Sequence, residues 1–243
     1  MDIFRSPVTT DRNGSAWDRT ENYVKEERPL QPIRKIVVKG AVDVVFRRFD
    51  KPTLIVAGET ADAVASVKTY FNGGKLVIER EGIAISGGVA GRMVFHGSVG
   101  SFVMGDIVNG KPMGPSFSFT QARAVVGIAL PEAPTIKIQG SGDVTLFDLQ
   151  QTGLELEIEG SGDITAYGQV AHLEVEIAGS GDVDASELIA DRASLSIAGS
   201  GDIEAFVRSE VRARVAGSGD IVVRGNPPRR DHGVAGSGKI KFR

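Results

Sequence analysis

One tetrapeptide, Gly-Ser-Gly-Asp, recurs through the C-terminal half of the chain at a nearly fixed interval. It is written as Gly140-Ser141-Gly142-Asp143, Gly160-Ser161-Gly162-Asp163, Gly179-Ser180-Gly181-Asp182, Gly199-Ser200-Gly201-Asp202 and Gly217-Ser218-Gly219-Asp220. A sixth copy, Gly236-Ser237-Gly238-Lys239, exchanges the acid for a base. The starts lie 20, 19, 20, 18 and 19 residues apart. A period of that length marks a solenoid, in which each repeat buries its apolar face only against its neighbours.

Each repeat reads the same way. Before the tetrapeptide, apolar and polar residues alternate, as in Leu173-Glu174-Val175-Glu176-Ile177, which is a half-buried strand. The inward set recurs as Leu154, Leu156 and Ile158, as Leu195 and Ile197, and as Val211, Ala213 and Val215. After the tetrapeptide a second inward set follows: Val144 and Leu146, Ile164 and Ala166, Val183 and Ala185, Ile203 and Ala205, Ile221 and Val223, Ile240 and Phe242. Stacked coils place these side chains in ladders with a rise of about 4.8 Å. Two glycines around one serine fit a corner that needs positive φ and close approach of neighbouring coils. The serine and aspartate suit backbone groups that such a turn leaves unpaired. Strands that return in one direction once per lap pair in parallel, and parallel crossovers are nearly always right-handed. The expected fold is all-β, a single-stranded right-handed parallel β-helix with coils of about 19–20 residues. Hexapeptide periodicity, the sign of a left-handed helix, is absent.

Upstream, Ile36, Val38 and Gly40, then Asp43, Val44 and Phe46, form a degenerate copy of the repeat. Thr53 to Gly58 reads as a strand, Ala61 to Thr69 as a short helix or turn, and Asn72-Gly73-Gly74 as a hairpin turn before Lys75–Glu79. Residues 1–32 read as a flexible polar leader and 33–243 as a single β-helix domain. Residues 82–118 break the pattern with nine glycines and with Met93, Met104 and Met113. They read as a glycine-rich insertion: a pair of strands packed on the solenoid, an adaptable subunit or ligand contact surface, or a disordered segment.

The five aspartates of the motif fall in one column, a coil apart. Like charges at that spacing repel by about 1 kcal/mol per pair in water. Backbone donors or a cation would offset this, and Lys239 stands where it neutralises Asp220. Calcium-binding Gly/Asp solenoids repeat every nine residues, unlike this chain, so turn chemistry is the expectation. No metal and no cofactor is expected.

The 243 residues contain no cysteine, which excludes disulfides, thiolate catalysis and cysteine-ligated zinc. A net charge of -3, with three Tyr and one Trp, argues against nucleic-acid binding. No apolar run is long enough to span a membrane, and residues 1–32 hold no apolar stretch of a signal peptide. Outward carboxylates fall at matching positions of successive coils: Glu155 beside Glu174, Glu157 beside Glu176, Asp184 beside Glu204. Such pairs suit glycoside hydrolysis, but alternating acids are also what any solvated sheet face shows. His96, His172 and His232 have no metal-ligand spacing. Arg208, Arg212, Arg214, Arg224, Arg229 and Arg230 gather where earlier coils carry glutamate, a gradient that could orient association. Pro227-Pro228 and the tail Lys239, Lys241 and Arg243 are expected to cap one end, and the leader 1–32 or the glycine-rich insertion the other.

The array, preceded by Val38-Lys39-Gly40-Ala41-Val42-Asp43-Val44-Val45-Phe46 and by Asn72-Gly73-Gly74-Lys75-Leu76-Val77-Ile78, resembles the putative auto-transporter adhesin head GIN domain family. The resemblance covers roughly residues 33–243. It implies a β-helix of pectin-lyase-like shape, a role in cell-surface adhesion, an envelope or extracellular location, and no catalytic residues. The combined expectation is a non-enzymatic structural or binding module, partnered by itself as a homo-oligomer or by a surface glycan or protein. The alternatives are a carbohydrate-binding or carbohydrate-active β-helix and an intracellular scaffold in the cytoplasm.

Overall fold

A computed structural model describes residue 3, residues 22–80 and 122–243, and, between them, the backbone of strand segments within 83–120. The core of the molecule is a β-solenoid whose successive laps pair in parallel. Its first lap consists of β2 (Lys35–Gly40) and β3 (Asp43–Arg48) around the degenerate corner. The next is β14 (Thr135–Gly140) leading into β15 (Val144–Ile158). Then follow β16 (Ile164–Gly179), β17 (Val183–Gly199) and β18 (Ile203–Gly217), and the last laps, β19 (Asp220–Arg224), β20 (Arg229–Gly236) and β21 (Lys239–Phe242).

Two parallel sheets result. On the sheet before the corner, Ile36, Ile136, Leu156, Val175, Leu195 and Ala213 share one register column. On the sheet after it, Val44, Val144, Ile164, Val183, Ile203, Ile221 and Ile240 do the same. Apart from Ile240, which is partly buried, these residues are 0–2% exposed. The alternation of the sequence thus becomes one continuous core. The long strands are not straight. Their register slips after Leu146, Thr165 and Ala185, where each lap bends a second time. Inside that bend lie Leu149, Val170, Leu188 and Val207, all buried.

The first and second laps are in contact although about a hundred residues separate them. Gly140 lies in register with Gly40, and Val144 with Val44. The intervening chain builds an antiparallel cap below the first lap. On the sheet after the corner, β13 (Ala124–Leu130) pairs parallel to β3 and antiparallel to β4 (Thr53–Gly58). Strand β1 (Val24–Arg28) closes that edge against β4. On the other sheet, β6 (Lys75–Arg80) pairs with β2, and β5 (Val67–Asn72) folds back on β6. The β5–β6 turn places Gly73 at φ 58° and Gly74 at φ 78°, the paired left-handed residues of a two-residue hairpin. Between the two edges sits α1 (Ala61–Ser66). Thr60 caps it by accepting from the Ala63 N–H, and Ala63 and Val64 are buried under it.

Val24–Arg28, within the segment 1–32 read as a leader, is therefore an edge strand, and Leu30 beyond it packs partly buried against the core; apart from residue 3, residues 1–21 lie outside the described residues. The reason is Arg28. Its guanidinium donates to the Val67 carbonyl at 2.7 Å and to Thr69 Oγ1 at 3.1 Å, tying the charged strand across the cap. Within the glycine-rich segment three antiparallel pairs form: β7 (Ile83–Ser86) with β8 (Arg92–Phe95), β9 (Val99–Val103) with β12 (Ser116–Thr120), and β10 (Asp106–Val108) with β11 (Lys111–Met113). Its reading as a contact surface turns on side chains outside the described residues, as does any role of His96.

Candidate functional site

The corner positions the most regular array on the surface. At each lap the serine N–H donates to the first glycine carbonyl of the lap below, as Ser161 does to Gly140 at 2.9 Å. The two glycines are needed for different reasons. Gly160 has φ 154°, and a Cβ there would stand 2.3 Å from the Gly140 carbonyl oxygen. Gly162 has no unusual φ, but its Cβ would meet the Gly142 oxygen at 2.2 Å. Backbone rests on backbone, so no side chain fits between laps.

The aspartates form a single file. Asp163 N–H donates to Asp143 Oδ1 at 3.0 Å, Asp182 to Asp163 at 2.8 Å, Asp202 to Asp182 at 2.8 Å, and Asp220 to Asp202 at 2.7 Å. The file begins one lap earlier than the tetrapeptide count suggests, because Asp143 N–H donates to Asp43 Oδ1 at 3.2 Å. Asp43 belongs to the degenerate Gly40-Ala41-Val42-Asp43, and its signal was the glycine three residues before it. A hydrogen bond to a charged acceptor contributes about 1.5–3 kcal/mol, more than the repulsion of about 1 kcal/mol between neighbouring carboxylates. Backbone donors thus suffice to hold the file together. Burial, aided by repulsion from the next carboxylate, raises the Asp143 carboxyl above its ordinary value, and burial does the same to Asp43. At the far end the partner is not the Lys239 side chain. Lys239 gives its backbone N–H to Asp220 at 2.8 Å, and Lys241 Nζ makes the ion pair at 3.0 Å. The alternation of β21 turns Lys241 to the same side as Asp220, and the Lys241 ammonium pulls that carboxyl below its ordinary value.

The outer side of the sheet before the corner carries straight polar columns. Glu155 stands beside Glu174, Glu157 beside Glu176, and on the other sheet Asp184 beside Glu204, in register. Few of these are free to act as acids. Glu157 is held by Lys35 Nζ at 2.5 Å and Lys137 Nζ at 3.1 Å. Burial works against its charge, but the two ammoniums outweigh it and the carboxyl sits below its ordinary value. A general acid needs the opposite shift. Glu155 accepts from Thr135 at 2.9 Å, and Glu204 is paired with Arg224. Among the described residues no three His, Asp or Glu side chains are placed to hold a metal.

Farther along the same sheet the columns run Glu174–Ser194–Arg212–Asp231 and His172–Arg192–Glu210–Arg229. Between them opens a groove of about 450 Å³, lined by His172, Glu174, Arg192, Ser194, Glu210 and their neighbours. Asp231 is occupied, since Arg214 spans both its oxygens at 2.8 Å and Arg212 approaches at 3.3 Å. Those guanidiniums, Arg214 foremost, hold the Asp231 carboxyl low. Arg229 stands 3.8 Å from Glu210. Of the arginines expected to gather outward, Arg230 turns inward instead, its guanidinium 4.5 Å above the Phe242 ring. His232 meets the same ring edge-on at 5.3 Å, a packing role.

The family described as putative auto-transporter adhesin, head GIN domain, matches residues 128–227. No curated protein sequence matches the chain. Solved structures of similar fold include a putative adhesin from Bacteroides fragilis NCTC 9343, 18% identical, covering 92% of this chain and 98% of its own, with a TM-score of 0.60. A putative lipid binding protein from Parabacteroides distasonis ATCC 8503 is 20% identical, with coverages of 92% and 97% and a TM-score of 0.53. A putative adhesin from the same strain is 16% identical, with coverages of 91% and 97% and a TM-score of 0.51. At these identities the likeness is one of fold. Among the described residues no helix is long and apolar enough to cross a membrane.

Proposed function

From the match of residues 128–227 to the model of the putative auto-transporter adhesin, head GIN domain family, we propose that the protein is a cell-surface adhesin-type module that binds its ligand without transforming it. One observation carries the reading. The outward residues form straight columns at the coil spacing, about 4.8 Å, along a solenoid whose backbone leaves no slack between laps. Such a face repeats similar groups at fixed intervals, which suits recognition of an extended or repetitive surface. It is poorly suited to gathering groups around one reacting atom.

The test is display of the full chain on a non-adherent bacterium, with adherence to host-cell layers and immobilised glycans counted against an empty display vector. A several-fold gain in adherence is expected. Equal counts, or loss of the native protein from the surface-exposed fraction of its own cells, would overturn the reading.

A further inference from the structure

We propose that the groove between the His172 and Glu174 columns is a binding site for an acidic saccharide, with Arg192 taking the ligand's carboxylate or sulfate. The inference rests on the adhesin reading and gives it a ligand class and a site.

Arg192 and His172 are register neighbours on adjacent laps, and neither side chain has a hydrogen bond or ion pair among the described residues. Every other arginine in the groove is engaged: Arg212 with Asp231, Arg229 with Glu210, Arg230 with Phe242 and the Pro227 carbonyl. A guanidinium presents a planar fork of donors that matches a carboxylate or sulfate. The groove of about 450 Å³ lies within the size range of small-ligand sites.

The acids in the groove decide which anion fits. Glu174 has no partner among the described residues, and Glu210 has only the Arg229 contact at 3.8 Å. A ligand that brought only anionic groups, with no hydroxyls to donate, would leave both carboxylates facing like charge. A sugar acid brings one negative group and several hydroxyls, and ionised carboxylates accept only from donors such as hydroxyls. Ser194, between Glu174 and Arg212, adds a hydroxyl of its own. Among the described residues no Phe, Tyr or Trp lines the groove, so affinity for one unit is modest and gains from repetition along a polymer.

The experiment titrates the full chain with oligogalacturonate, a sulfated glycosaminoglycan oligosaccharide and a neutral oligosaccharide of similar length. Binding of an acidic oligosaccharide and none of the neutral one is expected. Arg192→Gln should weaken it at least tenfold with Tm unchanged, Arg192→Lys should fall between, and Lys75→Gln, at the other end of the same sheet, should bind as the parent. Equal binding by Arg192→Gln and the parent overturns the proposal, as does equal binding of the neutral sugar. A chain that mediates adherence but binds no acidic oligosaccharide refutes this site and leaves the adhesin reading standing. Arg192-dependent binding without adherence does the reverse.

Discussion

The two ends of the solenoid meet the same physical difficulty with different means. A stack of coils ends in strand edges with unpaired backbone groups and in an open core. At the N-terminal end the chain solves both by topology. Antiparallel β4 and β1 extend one sheet, β5 and β6 extend the other, and α1 lies across the opening with Val64 and Ala63 buried beneath it. At the C-terminal end no such cap is present among the described residues. The inward positions of the last lap are Arg230, His232 and Val234 on one sheet and Ile240 and Phe242 on the other. A cation and an imidazole laid on Phe242 cover the core, while Val234 remains 44% exposed. The lesson is that closure by backbone pairing couples the end to the whole fold, whereas closure by side chains couples only the last lap. Nearest-neighbour stability in stacked repeats gives the same expectation.

The largest effect should come from the capped end. Leu54, fully buried in β4, touches the core that continues through every lap, and Leu54→Ala should cost about 2–5 kcal/mol. Denaturant unfolding should show it as one cooperative transition moved to lower concentration. Phe242→Ala should cost less, about 1–2 kcal/mol, since the ring is only partly buried and loses one cation–π contact. Hydrogen exchange should quicken in residues 229–243 and not in β14–β17. Exchange that quickens equally throughout would abolish the contrast between the ends.

Acid should separate the ends by sign. Asp43 and Asp143 have carboxyls raised mainly by burial, so the native state binds their protons more tightly than the unfolded chain. Their contribution to stability therefore grows as pH falls through their raised values toward the ordinary 3.8. Asp220, lowered by Lys241, contributes stability above the ordinary value and loses it as pH falls through its depressed one. Exchange measured by segment on acidification should thus favour the first laps over the last. A uniform change along the stack would refute the assignment. Smallest of all is Lys241→Ala, an exposed ion pair screened by salt. Its effect on Tm should vanish at high ionic strength, and a persistent effect would mean that the lysine stem packs on the core.

The solenoid was legible because its determinants are local and repeated. Alternation at Leu173–Ile177 fixes which side chains enter the core, and the corner glycines mark where laps touch. The cap was not legible, because strand direction at β4 and β13 depends on pairing between residues about seventy apart, and each segment alone reads as a strand of either sense. The second bend was missed for a different cause. It rests on Asp148 at φ 59° in one lap and Gly168 in the next, with no residue type repeated. In the candidate groove, the column that holds Arg192 and Glu210 could be aligned from the repeat, but freedom from ion pairing is a property of side-chain reach. The inward turn of Arg230 follows from its register with Val211, whose position in the alternation would have revealed it.

The contact between Gly40 and Gly140 bears on biogenesis. Strands β2 and β3 leave the ribosome about a hundred residues before β14 and β15, their partners on the upper side. At about 5–20 residues per second, that is a wait of roughly 5–20 s with one backbone edge of the first lap unpaired. During that interval a chaperone, or another nascent chain, competes for the edge. The later laps face no such delay, since each partner arrives about twenty residues behind the last. Yield in the cell is therefore governed by the oldest turn of the stack, not by the longest.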